Sequence, residues 1–453
     1  MISTFSSNNA DWIARDLASL WHPCTQMRDH PHPIPLLPIV RAQGCWLEDV
    51  DGKRYLDAIS SWWVTLFGHG HPAIVAAIAE QAAQLDHVLM AGFSHPPAIQ
   101  LAERLLGLVG APMSRVFYAE AGSAAIEIAL KLSFHYWRNL GQPGRRRFVV
   151  LDKGYHGETI GALSLTSVSL YREAYGELLL EPLFAPSPDS RLAEAGESAA
   201  AYADRCADQL ALILAEHSGD ICALVLEPLV QCAGGMAMYP ASYLQRVREI
   251  CDRHQIHLIA DEIAVGLGRT GTLLACDHAR IRPDLLCIGK GLSGGTLPLA
   301  AVLAPESIYE AFLGEFGSGK AFLHSHSYTG FAIGCAAALA TMDLLQTAIE
   351  GGALDHKVTR LRSALTPLVD HPHARNLRQC GLIAAVDLVD RSGAPFPAGQ
   401  RRGLAVYREA LARGVVLRPL GDTLYMLPPL SISDEEIALM TTAAVQSMEA
   451  ACA

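Results

Sequence analysis

The segment HLIADEIAVGLGRTGTLLACDHARIRPDLLCIGKGLSGG, residues 257–295, contains two short apolar runs, each followed by charged residues. HLIADE and DLLCIG have the length and composition of buried strands, and Asp261 and Lys290 stand twenty-nine residues apart where the runs end. We expect a strand–helix–strand unit to separate them, so that the strands run parallel. Because ligands of open α/β sheets bind beyond the carboxyl ends of strands, Asp261 and Lys290 are predicted to face one crevice.

The same pattern extends over most of the chain. Between Val109 and Leu303, helical stretches alternate with four further apolar runs: RVFYA, RFVVLD, CALVLEP and PLAAVLA. This alternation predicts the α/β class, with a mostly parallel sheet and helices on both of its faces.

The two ends of the chain do not show this alternation of apolar runs and helical stretches. GCWLEDVDGKRYLDA predicts a hairpin that turns at Asp51-Gly52, and from about residue 345 helices and strands are mixed. We therefore predict a large domain over residues 61–346 and a smaller α+β domain built from residues 1–60 and 347–453.

A lysine and an aspartate at one sheet edge indicate a specific chemistry. A lysine directly after a buried strand is a good amine nucleophile when it is desolvated, although a lysine that merely reaches solvent from a strand end is the alternative. Asp261 alone could be a helix N-cap. A pyridoxal phosphate enzyme needs both groups, a lysine to bind the cofactor and an acid beside its pyridine nitrogen.

Two further features of the predicted edge fit that cofactor. Gly122 and Ser123 open the helical stretch SAAIEIALKLSFHYWR, and the unpaired N–H groups of a helix N-terminus favour an anion such as a phosphate. Ser123 could equally be a plain N-cap. Tyr155, in GYHG, could place its ring on the cofactor or be a core aromatic.

Other motifs suggest different ligands, but the evidence for each of them is weaker. Gly266–Gly271 matches G-x-G-x-x-G, but Asp261 and Glu262 would repel a pyrophosphate there and no clear helix begins at the glycines. Gly314–Lys320 nearly matches a phosphate loop, but Ala321 stands where a magnesium-binding Ser or Thr is required. Three histidine pairs lack the further ligands that a zinc site needs, so no metal is predicted: His69/His71, His324/His326 and His371/His373.

Composition excludes several classes of protein. The 35 Lys and Arg against 46 Asp and Glu give a net charge of −11, which disfavours a nucleic-acid partner. The eleven cysteines include no Cys-x-x-Cys pair, as expected of free thiols in the cytoplasm. The N-terminus lacks the pattern of a secretory signal. The uncharged stretch from Ala321 to Met342 contains histidines and polar residues, so no membrane span is predicted.

Several of these motifs together resemble the class III aminotransferases, which belong to the fold type I pyridoxal phosphate family. The matching segments cover about residues 20–445 and include AEAGSAAIEIALK, GYHGET, LVLEPLVQCAGG, LIADEIAVGLGRTG and IGKGLSGG. The resemblance implies a pyridoxal phosphate-dependent transaminase in which Lys290 holds the cofactor and acts as general base. It also implies a homodimer with shared active sites, because HSHSYTG resembles the segment that reaches the neighbouring subunit's phosphate site.

The resemblance assigns roles to individual residues. Those implied for catalysis are Lys290, Asp261 and Tyr155. Those implied for cofactor binding are Gly122, Ser123, Tyr155, His156, Asp261, Lys290 and Ser327. Those implied for substrate binding are Trp62, Trp63, Tyr155, Gly291 and Arg418.

Within the family, WHPCTQM, SSWWVTLFGHGHP and VVLRPLGDTLYMLPPL are similar to the branch that acts in biotin biosynthesis. That branch converts 8-amino-7-oxononanoate to 7,8-diaminononanoate with S-adenosylmethionine as amino donor. An aromatic slot from Trp62 and Trp63 and a carboxylate clamp from Arg418 suit an apolar chain that ends in a carboxylate. Without the resemblance, the tryptophans would be assigned to the core and Arg418 to a surface ion pair.

Some positions depart from the branch pattern. Cys24 replaces a common Tyr, and Glu158 replaces an Asp, which leaves the amino donor open. Lysine is the alternative donor for the same acceptor. Another class III enzyme acting on ω-amines and, more distantly, an NAD-dependent oxidoreductase using Gly266–Gly271 are the rival functions.

Overall fold

The computed structural model describes residues 8–452. The first seven residues, on which the expectation about a secretory signal partly rests, and Ala453 lie outside the described part. In chain order the strands are β1 (Ile39–Gln43), β2 (Trp46–Asp49), β3 (Arg54–Asp57), β4 (Met113–Ala119), β5 (Arg147–Leu151), β6 (Leu183–Ala185), β7 (Ile221–Leu226), β8 (Val230–Gln231), β9 (Ala237–Met238), β10 (His257–Asp261), β11 (Leu285–Ile288), β12 (Ala300–Pro305), β13 (Ala374–Cys380), β14 (Ile383–Leu388), β15 (Val415–Val416) and β16 (Thr423–Met426).

Helices connect most of these strands. They are α1 (Asn9–Ser19), the single turn α2 (Ser60–Trp63), α3 (Pro72–Gln84), α4 (Pro96–Val109), α5 (Gly122–Asn139), α6 (Ile160–Ser164), α7 (Ser169–Tyr175), α8 (Ala199–Glu216), α9 (Ala241–His254), α10 (Glu306–Glu310), α11 (Ala332–Glu350), α12 (Ala353–Ala364), α13 (Arg402–Ala412) and α14 (Asp434–Cys452).

The described residues form two compact units. One contains the residues up to His71 together with those from His356 onward, and the other contains Pro72–Asp355. The predicted domain limits at residues 60/61 and 346/347 stay a prediction.

A large sheet organises the Pro72–Asp355 unit. Its strand order is β4-β12-β11-β10-β7-β5-β6. The five strands from β11 to β6 are parallel, whereas β12 runs antiparallel to both of its neighbours. Every residue of β7, β10 and β11 is buried, which explains why the central strands are nearly continuous apolar runs. The predicted α/β fold with a mostly parallel sheet is confirmed.

The connection between β10 and β11 differs from the prediction. The strands are parallel neighbours with Asp261 paired to Cys287, but a short 3-10 helix, Ala275–Ala279, replaces the expected α-helix. The Glu262 carboxylate accepts hydrogen bonds from the N–H groups of Ala275 (2.6 Å) and Cys276 (2.8 Å). Gly268 and Gly271 adopt φ values of 90° and 95°. Turns at these glycines take up much of the connection, and the Glu262 carboxylate caps the N-terminus of the short helix.

The other unit contains two small sheets. β2 and β3 pair antiparallel with Trp46 opposite Leu56, which confirms the predicted hairpin, and β15 joins β3 in parallel. A second sheet has the order β13-β14-β16. The mixture of helices and strands predicted after residue 345 is present, although β15 consists only of Val415–Val416.

Helix α11 is, by length and composition, apolar enough to cross a membrane, with a mean hydropathy of 1.5. It packs against α3 and α4 within its own unit. Buried residues along its length include Cys335, Ala338 and Met342. We therefore interpret α11 as a core helix, since a mostly apolar helix in a protein core has the same composition.

Candidate active site

The loops that follow the parallel strands converge at one edge of the large sheet. A Cβ atom on Gly122, the first residue of α5, would lie 2.9 Å from the Ile263 side chain. A Cβ atom on Gly289, directly before Lys290, would lie 3.4 Å from the same side chain. Ile263 thus brings together the start of α5 and the loops after β10 and β11. Sequence reasoning did not single out Ile263, whose only signal is its position two residues after Asp261.

Asp261 is a buried carboxylate whose orientation is set from two sides. Its Oδ2 lies 2.7 Å from Nδ1 of His156, and its Oδ1 accepts a hydrogen bond from the Ile263 N–H at 3.1 Å. Burial by itself lowers the pKa of His156, but the hydrogen bond and charge of Asp261, with the charge of Glu227, raise it above its usual value. The arrangement favours an imidazolium–carboxylate pair in a site closed to solvent.

Glu227 is a second buried carboxyl group at this edge. Its Oε2 accepts from the Tyr155 N–H at 3.2 Å and its Oε1 from the Cys232 N–H at 2.9 Å, so it ties together the loops after β5 and β7. Burial raises the pKa of Glu227 to about 7, and the charge of Asp261 adds to this, although His156 opposes it. Sequence reasoning assigned no role to Glu227. Its signal was a carboxylate directly after six apolar residues.

Lys290 lies at the end of β11, as predicted, but it is half-buried rather than fully enclosed. It begins the 3-10 helix Lys290–Ser293 with a φ of 44°, in the left-handed region that non-glycine residues rarely adopt. Such strain clusters at functional sites. Gly291, the predicted substrate-binding residue, is buried directly after it.

The start of α5 forms a cradle of backbone N–H groups. Its N-cap is Ala121, which supplies no side-chain hydrogen bond, so Ser123 lies inside the first turn and is not the cap. A Cβ atom on Gly157 would lie 2.4 Å from Cβ of Ser123, so only glycine allows the loop after β5 to approach α5 this closely. The first-turn N–H groups of α5 suit a phosphate.

Tyr155 is half-buried beside this cradle. Its hydroxyl donates to Oε1 of Glu158 at 2.9 Å, and its ring centroid lies 5.5 Å from that of Tyr171. Glu158 itself is exposed. The departure from the family pattern at Glu158 therefore concerns a carboxylate in direct contact with a predicted site residue.

Ser327 lies on the surface of the same unit. It is exposed and contributes to the wall of a cavity of about 640 Å³ that is also lined by Met90, Phe117 and Tyr118. Nearby, Nδ1 of His326 lies 2.6 Å from Oε1 of Glu120. In this position the Ser327 hydroxyl is accessible to other molecules.

The predicted substrate residues of the other unit form a group of their own. The Cζ of Arg418 lies 4.6 Å from the ring centroid of Trp62, whose side chain is 40% exposed. Trp63 is 4% exposed, and its Nε1 donates to the Tyr425 hydroxyl at 3.1 Å. Within residues 8–452, Arg418 forms no ion pair. The two tryptophans therefore differ in accessibility, a distinction that sequence reasoning did not make.

The rejected motifs have structural explanations. Gly266–Gly271 forms a series of turns followed only by the short 3-10 helix Ala275–Ala279, and Arg269 there is buried. Gly314–Lys320 is an exposed loop preceded by the short helix α10 rather than by a strand. Neither segment has the strand–loop–helix geometry on which phosphate-binding loops depend.

Comparison with known proteins agrees with this geometry. Residues 27–448 match the family model described as aminotransferase class-III. The chain is 41% identical over 430 residues to the adenosylmethionine-8-amino-7-oxononanoate aminotransferase of Geobacter sulfurreducens, an alignment that covers 94% of each chain. It is 34% identical to the crystal structure of the enzyme of that name from Methanocaldococcus jannaschii, with a TM-score of 0.92 and coverage of 98% and 100%.

An amine transaminase from an uncultivated Pseudomonas species, solved in its PLP-bound form, is also similar. Its TM-score is 0.90 at 34% identity, with coverage of 96% of this chain and 99% of that chain. The family match spans most of the chain, and the three relatives align with 94–98% of it. The chain therefore belongs to the class-III aminotransferase family.

Proposed function

We propose that this protein is a pyridoxal phosphate-dependent transaminase that converts 8-amino-7-oxononanoate to 7,8-diaminononanoate in biotin biosynthesis, with S-adenosylmethionine as amino donor. The observation that carries the transaminase assignment is the buried Asp261 carboxylate, held by His156 at the sheet edge where Lys290 stands. The acceptor and donor are those for which the relatives are named, and their alignments cover 94% of the chain or more.

The residues present fit pyridoxal phosphate. The first turn of α5 at Gly122 and Ser123 would receive the phosphate, and Asp261 would pair with the protonated pyridine nitrogen. Nε2 of His156 is buried and has no hydrogen-bond partner among the described residues, as expected beside a ligand. When bound, the cofactor supplies an electron sink for bonds broken at the substrate's amino-bearing carbon.

The protein's own side chains carry out binding and proton transfer. Lys290 would hold the cofactor through its Nζ. When that amine is free, it is the group placed to take the proton from the carbon that bears the donor's amino group. His156 holds the Asp261 carboxylate in the orientation in which it would face the pyridine nitrogen. In the second half-reaction Lys290 returns a proton to the acceptor.

Arg418 and the tryptophans would select the acceptor. A guanidinium that forms no ion pair among residues 8–452 can receive a carboxylate through two parallel hydrogen bonds. The exposed face of Trp62 offers an apolar surface for the acceptor's chain. Trp63, Gly291 and Tyr155 complete the proposed substrate-binding set.

The amino donor depends on the region of Tyr155. The hydrogen bond from its hydroxyl to Glu158 places a negative charge near the proposed site. Both a sulfonium and an ammonium would be attracted by that charge, so S-adenosylmethionine and lysine are the donors to compare. Cys24, the other position that departs from the branch pattern, is exposed and adopts a φ of 53°.

We propose a cytoplasmic homodimer with shared active sites and with neither nucleic acid nor membrane as partner. None of the eleven cysteines, all of which lie within residues 8–452, forms a disulfide, which suits a reducing compartment. The loop around Ser327 exposes Phe316, Leu323 and Tyr328, and exposed apolar side chains in one segment are typical of an interface.

A donor panel against 8-amino-7-oxononanoate tests the function. The purified protein should be yellow from bound cofactor, and S-adenosylmethionine should support formation of the diamine. If only lysine supports diamine formation, the proposed amino donor is wrong. If the protein transfers amino groups only between ω-amines and pyruvate, both proposed substrates are wrong. A colourless protein active with NAD would overturn the assignment.

Arg418→Ala should weaken the keto acid far more than the donor. Hydrogen bonds to charged groups contribute about 1.5–3 kcal/mol each, so KM for the acceptor should rise about ten- to hundredfold. Half-reactions followed separately by absorbance give the comparison. The control is Arg413→Ala, a half-buried arginine of the same unit that pairs with Glu409. Equal effects on both half-reactions would remove Arg418 from acceptor recognition.

A further inference from the structure

The turn α2 has an unusual backbone. Ser60, Ser61, Trp62 and Trp63 adopt φ values of 50°, 45°, 71° and 75°, so four successive non-glycine residues are left-handed. This conformation is unfavourable for each of them, because Cβ crowds the following carbonyl oxygen. It persists only where surrounding contacts hold it in place.

Asp57 supplies the main contacts on one side of the turn. It is fully buried, and its Oδ1 accepts from the Ser61 N–H at 3.0 Å while its Oδ2 accepts from the Ser61 hydroxyl at 2.7 Å. Nε2 of His69 lies 2.9 Å from the same Oδ2. Although burial opposes it, these hydrogen bonds and the charge of His69 lower the pKa of Asp57, so the carboxylate stays ionised.

His69 is itself fixed by close backbone packing. Its N–H donates to the Gly44 carbonyl at 2.7 Å, and its carbonyl accepts from the Gly44 N–H at 2.9 Å. Gly68 has a φ of 79°, and a Cβ atom there would lie 2.8 Å from the carbonyl carbon of Gly44. The hairpin region therefore fixes the backbone of His69, while its imidazole contacts Asp57 and, at 3.5 Å, the Ser61 hydroxyl of the turn.

The turn gives its two tryptophans different environments. The Ser60 hydroxyl donates to the Leu427 carbonyl at 2.7 Å, which anchors the start of the turn, while Trp63 is buried against Tyr425. Trp62 is left 40% exposed with its ring 4.6 Å from Cζ of Arg418. A guanidinium stacked on an aromatic face keeps its N–H edge available for a carboxylate.

We propose that Asp57 and His69 are positioning residues that hold the left-handed turn, place Trp62 against Arg418, and thereby set the affinity for the carboxylate of the acceptor. This inference rests on the proposed function, since it assigns Trp62 and Arg418 to the keto acid. Neither Asp57 nor His69 touches substrate in this account.

The main test compares Asp57→Asn with Asp49→Asn in the full-length holoenzyme. Asp49 is a matched control, because it is also buried and hydrogen-bonded, to Tyr55 and to the Lys53 N–H, but does not contact the turn. Asp57→Asn should raise KM for the acceptor about five- to thirtyfold, which corresponds to the free energy of the lost cation–π contact. KM for the donor should change less than about twofold. Asp49→Asn should leave both unchanged.

A double-mutant cycle separates positioning from general damage. If Asp57 acts through Trp62, Asp57→Asn should add little to the acceptor KM of Trp62→Ala, whereas independent effects would multiply. His69→Gln provides a second, milder variant should Asp57→Asn fold poorly, and it should show the same non-additivity. Multiplicative effects, or equal changes in donor and acceptor KM, would overturn the proposal.

Fluorescence gives a readout that needs no turnover. The signal of Trp62, taken as the difference between the unsubstituted protein and Trp62→Phe, should become more accessible to acrylamide in Asp57→Asn and not in Asp49→Asn. Unchanged quenching would refute the positioning role whatever the substrate is. Changed quenching in an enzyme that does not use 8-amino-7-oxononanoate would instead refute the proposed function alone.

Discussion

At the scale of single residues, the chemistry of the site depends on buried charges that hold one another in place. Asp261 and His156 lie 2.7 Å apart with side-chain exposures of 6% and 0%. Breaking such a pair leaves one charge buried and uncompensated, which is more costly than never having had the pair. Substitutions at this site therefore need matched neighbours as controls.

Asp261→Asn should retain cofactor binding and lose most turnover. A neutral amide cannot stabilise the protonated pyridine nitrogen, so kcat should fall by about a hundredfold or more. Absorbance reports cofactor content and stopped-flow half-reactions report proton transfer. Glu262→Gln, one residue on, removes a buried carboxylate that faces Ala275 and Cys276 instead, and should lower kcat much less. Normal turnover by Asp261→Asn would contradict the assigned role.

Glu227→Gln should change how stability depends on pH. Burial raises the pKa of Glu227 to about 7 from a model-compound value of 4.5, so between these values the folded chain binds more protons than the unfolded chain. The free energy of unfolding therefore falls as pH rises through this window, and the variant should lose that component. Denaturant titrations from pH 5 to pH 8 measure it. An identical pH slope in both proteins would mean that Glu227 stays ionised throughout.

At the scale of elements, the phosphate cradle depends on how closely a loop approaches a helix. Gly157→Ala should damage it, because φ is 125° and the new Cβ would meet Ser123 at 2.4 Å. We expect a destabilisation above about 2 kcal/mol and weaker retention of the cofactor on dialysis. Gly141→Ala is the control for a positive φ without a clash, since no atom lies within 4 Å of the added Cβ. It should lower the free energy of unfolding by about 1 kcal/mol. Equal effects of the two variants would show that packing against Ser123 is unimportant.

At the scale of the whole molecule, the proposed shared site can be tested by complementation. A Lys290→Ala chain and a Ser327→Trp chain should each be inactive alone. In a mixed dimer one site carries both defects and the other neither, so co-refolding equal amounts should restore about a quarter of the normal activity. Sedimentation confirms the dimer. An active monomer, or no recovery in verified mixed dimers, would leave Ser327 an ordinary surface serine.

Local patterns in the amino-acid sequence were sufficient for the α/β class, the central strands, the β2–β3 hairpin and the positions of Asp261 and Lys290 at strand ends. These features depend on short-range properties, namely the length of apolar runs and the turn preference of Asp51-Gly52. The family motifs added the aminotransferase assignment, because they combine glycines and charged residues at fixed spacing.

Tertiary contacts alone determined the remaining features. The connection from β10 to β11 lacks its predicted α-helix because turns at Gly268 and Gly271 take up much of it and Glu262 fixes the start of a short 3-10 helix at Ala275. The left-handed turn at Ser60–Trp63 depends on Asp57, on His69 and on Leu427, a residue from far along the chain. The Asp261–His156 pair joins loops more than a hundred residues apart. No local pattern encodes such contacts, because their energy depends on which distant groups the packed chain brings within hydrogen-bonding distance.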